Sequence, residues 1–346
     1  MRVVVATSIL PFVEGGGRRI SRDLTAALIA VGHEVETIEL PFRSDPETLL
    51  DQMTAYRLFD VSAAGDLLIA IRTPSQLLDH PNKVLWFIHH ERMAYDLWGT
   101  RFHAFPPTRD SPRIRDAVVT ADNQALRSAR HVFTNSRVVK RRIQQYNAVD
   151  AEVLYPPLGN ADRYRCDSYG DSIFYPSRLA PIKRQDLLIE AMTYVQTDVK
   201  LVLAGAADSN GDEADRLRQL IDRRGVRDRV ELHPSWISED AKIDLFATAL
   251  AGAYPAFDED SYGYTTLESC CARKPIVTCT DSGGTLELVR DGIEGLVVPP
   301  DARALAEAFD ALHSDRERAR ALGEAARDRL DELGISWQHV VERLTS

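Results

Sequence analysis

Asp258-Glu-Asp-Ser-Tyr-Gly-Tyr-Thr-Thr-Leu-Glu-Ser269 joins an acidic loop, a single glycine and the pattern of a first helical turn over Tyr264 to Ala272. A helix start offers backbone N–H groups without intrahelical acceptors and the positive end of a dipole, together a seat for an anion. A second glycine turn, Gly283-Gly284, follows the apolar strand pattern Pro275–Thr278 and opens another short helix. Two such turns on neighbouring strand ends would grip a diphosphate from two sides. Asp260 and Glu268 flank the first turn. Carboxylates repel phosphate, so their expected partners are sugar hydroxyls. Phosphate seats beside hydroxyl acceptors imply a nucleotide-sugar site.

Arg178-Leu-Ala-Pro-Ile-Lys183 lies just past the strand pattern Ser172–Pro176. Across that proline turn an Arg fork and a Lys point charge can converge on one diphosphate. Alone they would read as ordinary surface bases; the two anion seats beside them favour the site. His89 and His90 follow the buried pattern Val84–Ile88, where open α/β sheets place ligand contacts, and His89, continuing directly from the strand, is the one expected in a cleft. Gly15-Gly16-Gly17 follows the first strand but lacks the full dinucleotide fingerprint, so it implies only close backbone approach to a ligand. Gly205, Trp236 and Ile237, past two further strands, are base-pocket candidates that packing or turns would equally explain. No third ligand at metal-binding spacing joins the histidines, and no metal is expected.

The elements that must carry these residues alternate. Arg2–Ser8 reads as a buried strand, residues 19–31 as an amphipathic helix, and Val35–Leu40, Leu67–Ala70, Val84–Ile88, His131–Thr134 and Val153–Tyr155 as strands. Pro156-Pro157-Leu158-Gly159 interrupts the pattern as a linker, after which strand and helix alternate again to the helices Ala302–His313, Arg316–Leu333 and Trp337–Leu344. The expected organisation is α/β: two doubly wound, Rossmann-like parallel-sheet domains facing each other across a cleft. Residues 1–157 form the N-terminal domain and 158–334 the donor-binding domain, with the helix in 335–346 packing back toward the first.

The bulk composition narrows the partners. Over 346 residues the formal charge is −10, carried by the C-terminal half: residues 1–158 sum to +1 and 159–346 to −11. That balance argues against nucleic acid. Arg137, Lys140, Arg141 and Arg142 could face an anionic acceptor or a membrane surface, although a solvated helix face explains them more simply. There is no run long enough to span a bilayer and no signal-peptide profile before the first strand, so a cytoplasmic protein is expected. The four cysteines, Cys166, Cys270, Cys271 and Cys279, show no Cys-x-x-Cys spacing and read as reduced packing thiols.

The acid-x7-Glu element, the Gly-Gly turn with Glu287, Asp291–Pro300, Ser177–Lys183, Phe133–Arg137 and Tyr155–Pro157 together resemble the retaining GT-B glycosyltransferases, family 4 of the carbohydrate-enzyme classification. The resemblance covers nearly the whole chain and is most specific over Tyr254–Pro300. It implies transfer of a hexose-type sugar from a UDP-, GDP- or other nucleotide-diphosphate sugar to an acceptor hydroxyl, metal-independent and with retention of anomeric configuration. By the same resemblance Arg178 and Lys183 hold the diphosphate, aided by backbone amides over Gly263, Tyr264, Thr265 and Thr266 and by Gly283-Gly284. Glu268 binds the ribose, Asp260 and His89 meet the transferred sugar, and Gly16 approaches the donor. The family's first acid is usually Glu; here that register holds Asp260, and Glu259 could take its place by a loop slip.

Three readings stay open at this stage: a transferase, a nucleotide-sugar epimerase or phosphorylase of the same architecture, and a non-catalytic nucleotide-sugar-binding protein. The acceptor, whether small molecule, glycan or lipid-linked, is not legible. The loops over 72–82 and 92–115 show no pattern, and peripheral membrane contact and oligomeric state are unspecified.

Overall fold

The computed structural model describes residues 1–12, 15–100, 102–103, 105–207 and 212–346. Val13 and Glu14 of the first glycine-rich loop therefore lie outside the described residues. The chain divides into two compact units, Met1–Pro157 with Ser336–Ser346, and Leu158–Ile335.

The first unit alternates β1 (Arg2–Ile9), α1 (Gly16–Ala30), β2 (Glu34–Pro41), α2 (Leu49–Leu58), β3 (Leu67–Ala70), β4 (Lys83–Phe87), α3 (Ser111–Ser128), β5 (His131–Thr134), α4 (Arg137–Asn147) and β6 (Glu152–Val153). The described strands form one parallel sheet in the order β2-β1-β3-β4-β5-β6. Strands β3 and β4 are buried along their whole length, as central parallel strands covered on both faces must be. β2 lies at the edge, and its Glu34, Glu36 and Glu39 are charged side chains of the kind that discourage edge-to-edge pairing.

Helices α2 and α3 were not legible as helices. α3 turns Asp122 inward, fully buried, between Gln76 Nε2 at 2.7 Å and the Tyr95 hydroxyl at 2.6 Å, so a carboxylate breaks its apolar period. Burial pushes that carboxyl above its ordinary range.

The second unit runs β7 (Ser172–Pro176), α5 (Gln185–Ala191), β8 (Lys200–Ala204), α6 (Asp212–Arg224), β9 (Val230–His233), α7 (Glu239–Thr248), β10 (Ala251–Tyr254), α8 (Tyr264–Cys271), β11 (Ile276–Cys279), β12 (Gly295–Val298), α9 (Ala302–Ser314) and α10 (Arg316–Glu332). Its parallel sheet has the order β12-β11-β10-β7-β8-β9. Ile173, Tyr175, Leu201, Leu203, Leu217, Val277, Leu305 and Phe309 belong to a continuous core under this sheet. All four cysteines are free thiols, and among the described residues no helix is long and apolar enough to cross a membrane.

The last helix, α11 (Trp337–Thr345), belongs to the first unit. The Trp337 ring meets the buried Trp86 edge-on at 6.2 Å between centroids, and Arg343 pairs with Glu152 at 2.7 Å. The exposed ion pair contributes little; the indole and the buried Val340, Val341 and Leu344 carry the docking. Trp337→Ala is expected to cost the first unit about 2 kcal/mol, below the range for a fully buried aromatic because this ring is only partly enclosed. Urea unfolding of the full chain measures it, and Arg343→Ala is expected to change stability by less than about 0.5 kcal/mol.

Candidate functional site

In the second sheet, strands step outward from β7 through β8 to β9 on one side and from β10 through β11 to β12 on the other. The order reverses between β7 and β10, the point at which open α/β sheets hold ligands beyond their carboxyl ends. The segments leaving these two strands carry Arg178, Lys183, Glu259, Asp260 and the start of α8. Thr265 Oγ1, in the first turn of α8, donates to the Pro176 carbonyl at 2.6 Å and ties the helix start to the end of β7.

Lys183 is the hub. Its Nζ donates to Glu259 Oε1 at 2.7 Å and to the Tyr254 hydroxyl at 2.9 Å, while that hydroxyl donates to Glu259 Oε2 at 2.9 Å. The Lys183 and Glu259 side chains are about one-seventh exposed, at 14% and 15%, so the pair is neither solvated nor sealed. Burial and the Glu259 charge together push the Tyr254 phenol well above its ordinary range, which keeps it a proton donor. Tyr254, the last residue of β10, was not singled out from sequence.

Backbone bonds fix the acidic loop from both sides. Phe257 N–H donates to Ile182 O and Asp258 N–H to Asp281 O, each at 2.9 Å, and Arg184 grips Asp281 through two 2.7 Å bonds. Gly284 N–H, expected to face an anion, donates instead to Glu259 O at 2.9 Å. A Cβ on Gly283 would come within 2.5 Å of Glu259 O, and one on Gly284 within 2.6 Å of the Ser261 backbone. This corrects the sequence expectation: the glycine pair allows the two turns to touch, and its contribution to an anion seat is reduced by the amide the loop already uses.

Gly263 caps α8 at φ 72° and ψ 146°, a conformation essentially confined to glycine, and a Cβ there would sit 2.5 Å from the Tyr254 ring. The glycine therefore brings the helix start onto the same ring whose hydroxyl holds Lys183. Thr266 Oγ1 in that first turn, and Thr285 Oγ1 after the second glycine turn, are buried without a hydrogen-bond partner among the described residues. Buried hydroxyls are normally paired, so such atoms are candidates for satisfaction by a bound group.

Glu268, one turn into α8, is buried and bound to Lys242 Nζ at 2.5 Å. Sequence reasoning missed Lys242, because a Lys three residues after Glu239 near a helix start looks like an ordinary surface pair. Asp260 is partly exposed on the pinned loop, and the Arg178 side chain is exposed while its carbonyl accepts from Gln185 Nε2 at 2.9 Å. Gly205 follows β8 where a Cβ would meet Ser177 O at 2.1 Å, so strand-end crowding already explains that residue. Trp236 is exposed and Ile237 partly so. Among the described residues no group of His, Cys, Asp or Glu could hold a metal ion.

In the first unit, Gly16 opens α1 and is exposed, beside Gly17, where a Cβ would meet Arg72 Cδ at 3.2 Å. His89 is partly exposed just past β4, with Nδ1 2.7 Å from His90 O. His90 is core: its ring lies on Tyr95 at 4.2 Å, and Nε2 meets Asn147 Oδ1 at 2.8 Å. The basic run on α4 is not one solvated face, since Arg142 is buried and reaches Asp96 at 3.3 Å, an acid also held by Arg92.

Residues 167–329, which contain Arg178, Lys183, Lys242, Tyr254, Gly263 and Glu268, match the family model described as "Glycosyl transferases group 1". The chain is 31% identical over 194 residues to an exopolysaccharide phosphotransferase of Streptomyces coelicolor, covering 53% of this chain and 20% of that protein. It is 30% identical over 188 residues to the D-inositol 3-phosphate glycosyltransferase of Xylanimonas cellulosilytica, covering 52% and 44%. It thus spans less than half the length of these relatives. Among solved structures, sucrose-phosphate synthase from Thermosynechococcus elongatus superposes with a TM-score of 0.78 at 18% identity, covering 99% of this chain and 97% of that one. An Anabaena protein solved in complex with UDP and glucose superposes at 0.71 and 18% identity, covering 99% of each. The fold is GT-B, built of two doubly wound parallel-sheet units.

Gly263→Ala tests the helix start. Strain at that backbone conformation and the collision with the Tyr254 ring are expected to cost about 3 kcal/mol in urea unfolding. Tyr254→Phe, which keeps the ring and removes only the hydroxyl, is expected to cost about 1 kcal/mol.

Proposed function

We propose, for a chain whose residues 167–329 match the model of the group 1 glycosyl transferases, that it transfers a hexose-type sugar from a nucleotide-diphosphate sugar to an acceptor hydroxyl with retention of configuration. The observation that carries the reading is the convergence of Lys183 and the Tyr254-backed start of α8 at the strand-order reversal of the second sheet. The buried Thr266 and Thr285 hydroxyls support a ligand there, and the UDP and glucose in the Anabaena relative support its class.

In this reading the bond from the sugar's anomeric carbon to the diphosphate oxygen breaks as a bond to the acceptor oxygen forms on the same face. The acceptor's proton passes to the departing phosphate oxygen, and the products are the glycoside and the nucleoside diphosphate. Negative charge grows on that oxygen, so preorganised cations and N–H dipoles that meet it lower the barrier. Lys183 supplies a cation and exchanges Glu259 for phosphate as the donor enters. Arg178 supplies a second from its exposed position, and the first N–H groups of α8 supply dipoles. Glu268 accepts from the ribose hydroxyls. Asp260 is assigned to the transferred sugar, His89 and Gly16 in the first unit to sugar and donor, and Gly205, Trp236 and Ile237 to the base. The acceptor is a small molecule, a glycan or a lipid-linked sugar. No metal is required in this scheme.

A panel of UDP-, GDP- and ADP-sugars, scored by thermal shift and by release of nucleoside diphosphate, identifies the donor. With that donor, Lys183→Ala and Arg178→Ala are each expected to lower kcat/KM by about a hundredfold or more; the melting temperature is expected to stay near the wild-type value for Arg178→Ala and to fall for Lys183→Ala, which leaves Glu259 without its cation. Product NMR is expected to show the donor's anomeric configuration, and a chelator to leave the rate unchanged. Undiminished turnover in both variants, or an epimerised sugar nucleotide as product, would overturn the reading.

A further inference from the structure

Lys242 belongs to none of the sequence motifs, yet it occupies the interior of the second unit beside Glu268. It sits on the first turn of α7, whose cap Ser238 accepts from Ala241 N–H. Its Nζ lies 2.5 Å from Glu268 Oε1 and 2.9 Å from Glu239 Oε2. The three side chains are enclosed to different degrees: 3% exposure for Glu268, 11% for Lys242 and 28% for Glu239. Glu239 Oε1 accepts in turn from Asn160 Nδ2 and from the Tyr164 hydroxyl, both at 2.9 Å. A chain of charge-assisted bonds therefore runs from the first residues of the unit, through Glu239 and Lys242, to the first turns of α8.

We infer that Lys242 is a positioning residue for nucleoside recognition, acting through Glu268; the inference rests on the reading that Glu268 accepts from the ribose. A carboxylate this deeply enclosed is held in one rotamer by the cation paired with it. Lys242 is the cation the structure supplies, and the compact ammonium has donors enough to hold two carboxylates at once. By holding Oε1 it sets the plane in which Glu268 meets a diol, and Glu239, tied to Asn160 and Tyr164, keeps the ammonium from swinging away. A neutral side chain at 242 leaves Glu268 in the same helix but without a fixed direction. Recognition of the ribose hydroxyls then fails while diphosphate contacts persist.

The experiment uses the full chain and six probes, ADP, GDP, UDP and their 2′-deoxy forms, with Kd measured by calorimetry for the base that binds tightest. The wild type is expected to favour the ribonucleotide by about tenfold or more, the scale of a hydrogen bond to a charged group. Lys242→Met is expected to bring that ratio to within about threefold, mainly by weakening the ribonucleotide, and Lys242→Arg to retain it. Lys242→Gln serves the same comparison if the methionine variant does not fold. A purely structural lysine would weaken both nucleotides alike and leave the ratio standing, which overturns the inference. Glu268→Ala separates the two levels. If it leaves the ratio unchanged, the ribose reading falls and the inference with it. If it abolishes the ratio while Lys242→Met does not, only the role of Lys242 is lost.

Discussion

The second unit turns on one ammonium group whose partners come from separate segments. Lys183 Nζ meets the last residue of β10 and the acidic loop that follows it, while its own carbonyl accepts from the Tyr175 hydroxyl at 3.0 Å, on the neighbouring strand β7. A half-buried cation must be compensated, and the compensation here is a carboxylate and a phenol that also hold each other. The geometry is therefore closed: moving Glu259 leaves Lys183 short of charge, and moving Tyr254 removes a bond from both. Such a triangle keeps a cation oriented without burying it beyond reach. A site that must bind and release a polyanion requires both properties.

Glycine placement follows from the same triangle. The Tyr254 ring lies where the α8 cap must pass, so the cap has no room for a Cβ. The acidic loop is pressed against the next turn, so that turn has no Cβ for two successive residues. From sequence, both glycine positions read as anion seats. In the structure their first role is to admit close backbone contact, and only the α8 start keeps the form expected of a phosphate-facing helix end. One residue type answers to both demands, and periodicity cannot tell them apart.

What was legible in the sequence followed what is local. Strand and helix alternation and the proline linker are written in short-range patterns, and most of these elements appear within a residue or two of their expected bounds, α1 starting three residues before its apolar period. α3 escaped because its inward face carries Asp122, whose partners Gln76 and Tyr95 are far along the chain. Lys183, Glu268 and Gly263 could be singled out because each lies beside a strand end or helix start. Lys242 and Tyr254 were not, since their importance depends on partners 26 and 71 residues away. The basic run on α4 misled for the same reason: Arg142 is spent on Asp96, a partner that no local pattern announces.

Two lysines of the second unit show how burial separates a bracing cation from one whose counter-ion a ligand could replace. Lys274 is fully enclosed, its Nζ set among the carbonyls of Ser168 and Ala247 and the Cys166 sulfur, with the Tyr169 ring 4.3 Å away. Burial lowers its pKa, and its hydrogen bonds to two backbone carbonyls and a thiol tie the segment before β7 to α7. An ammonium held this way braces the segments around it and offers nothing to a ligand without unfolding them. Lys183 instead balances a single carboxylate on a loop and keeps an edge to solvent. In the reading proposed above, a diphosphate, which carries more charge than Glu259, replaces it, and the lysine's own share of the desolvation cost was already met on folding. The chemistry of the residue is the same in both places; the replaceability of its counter-ion decides which one can serve a reaction.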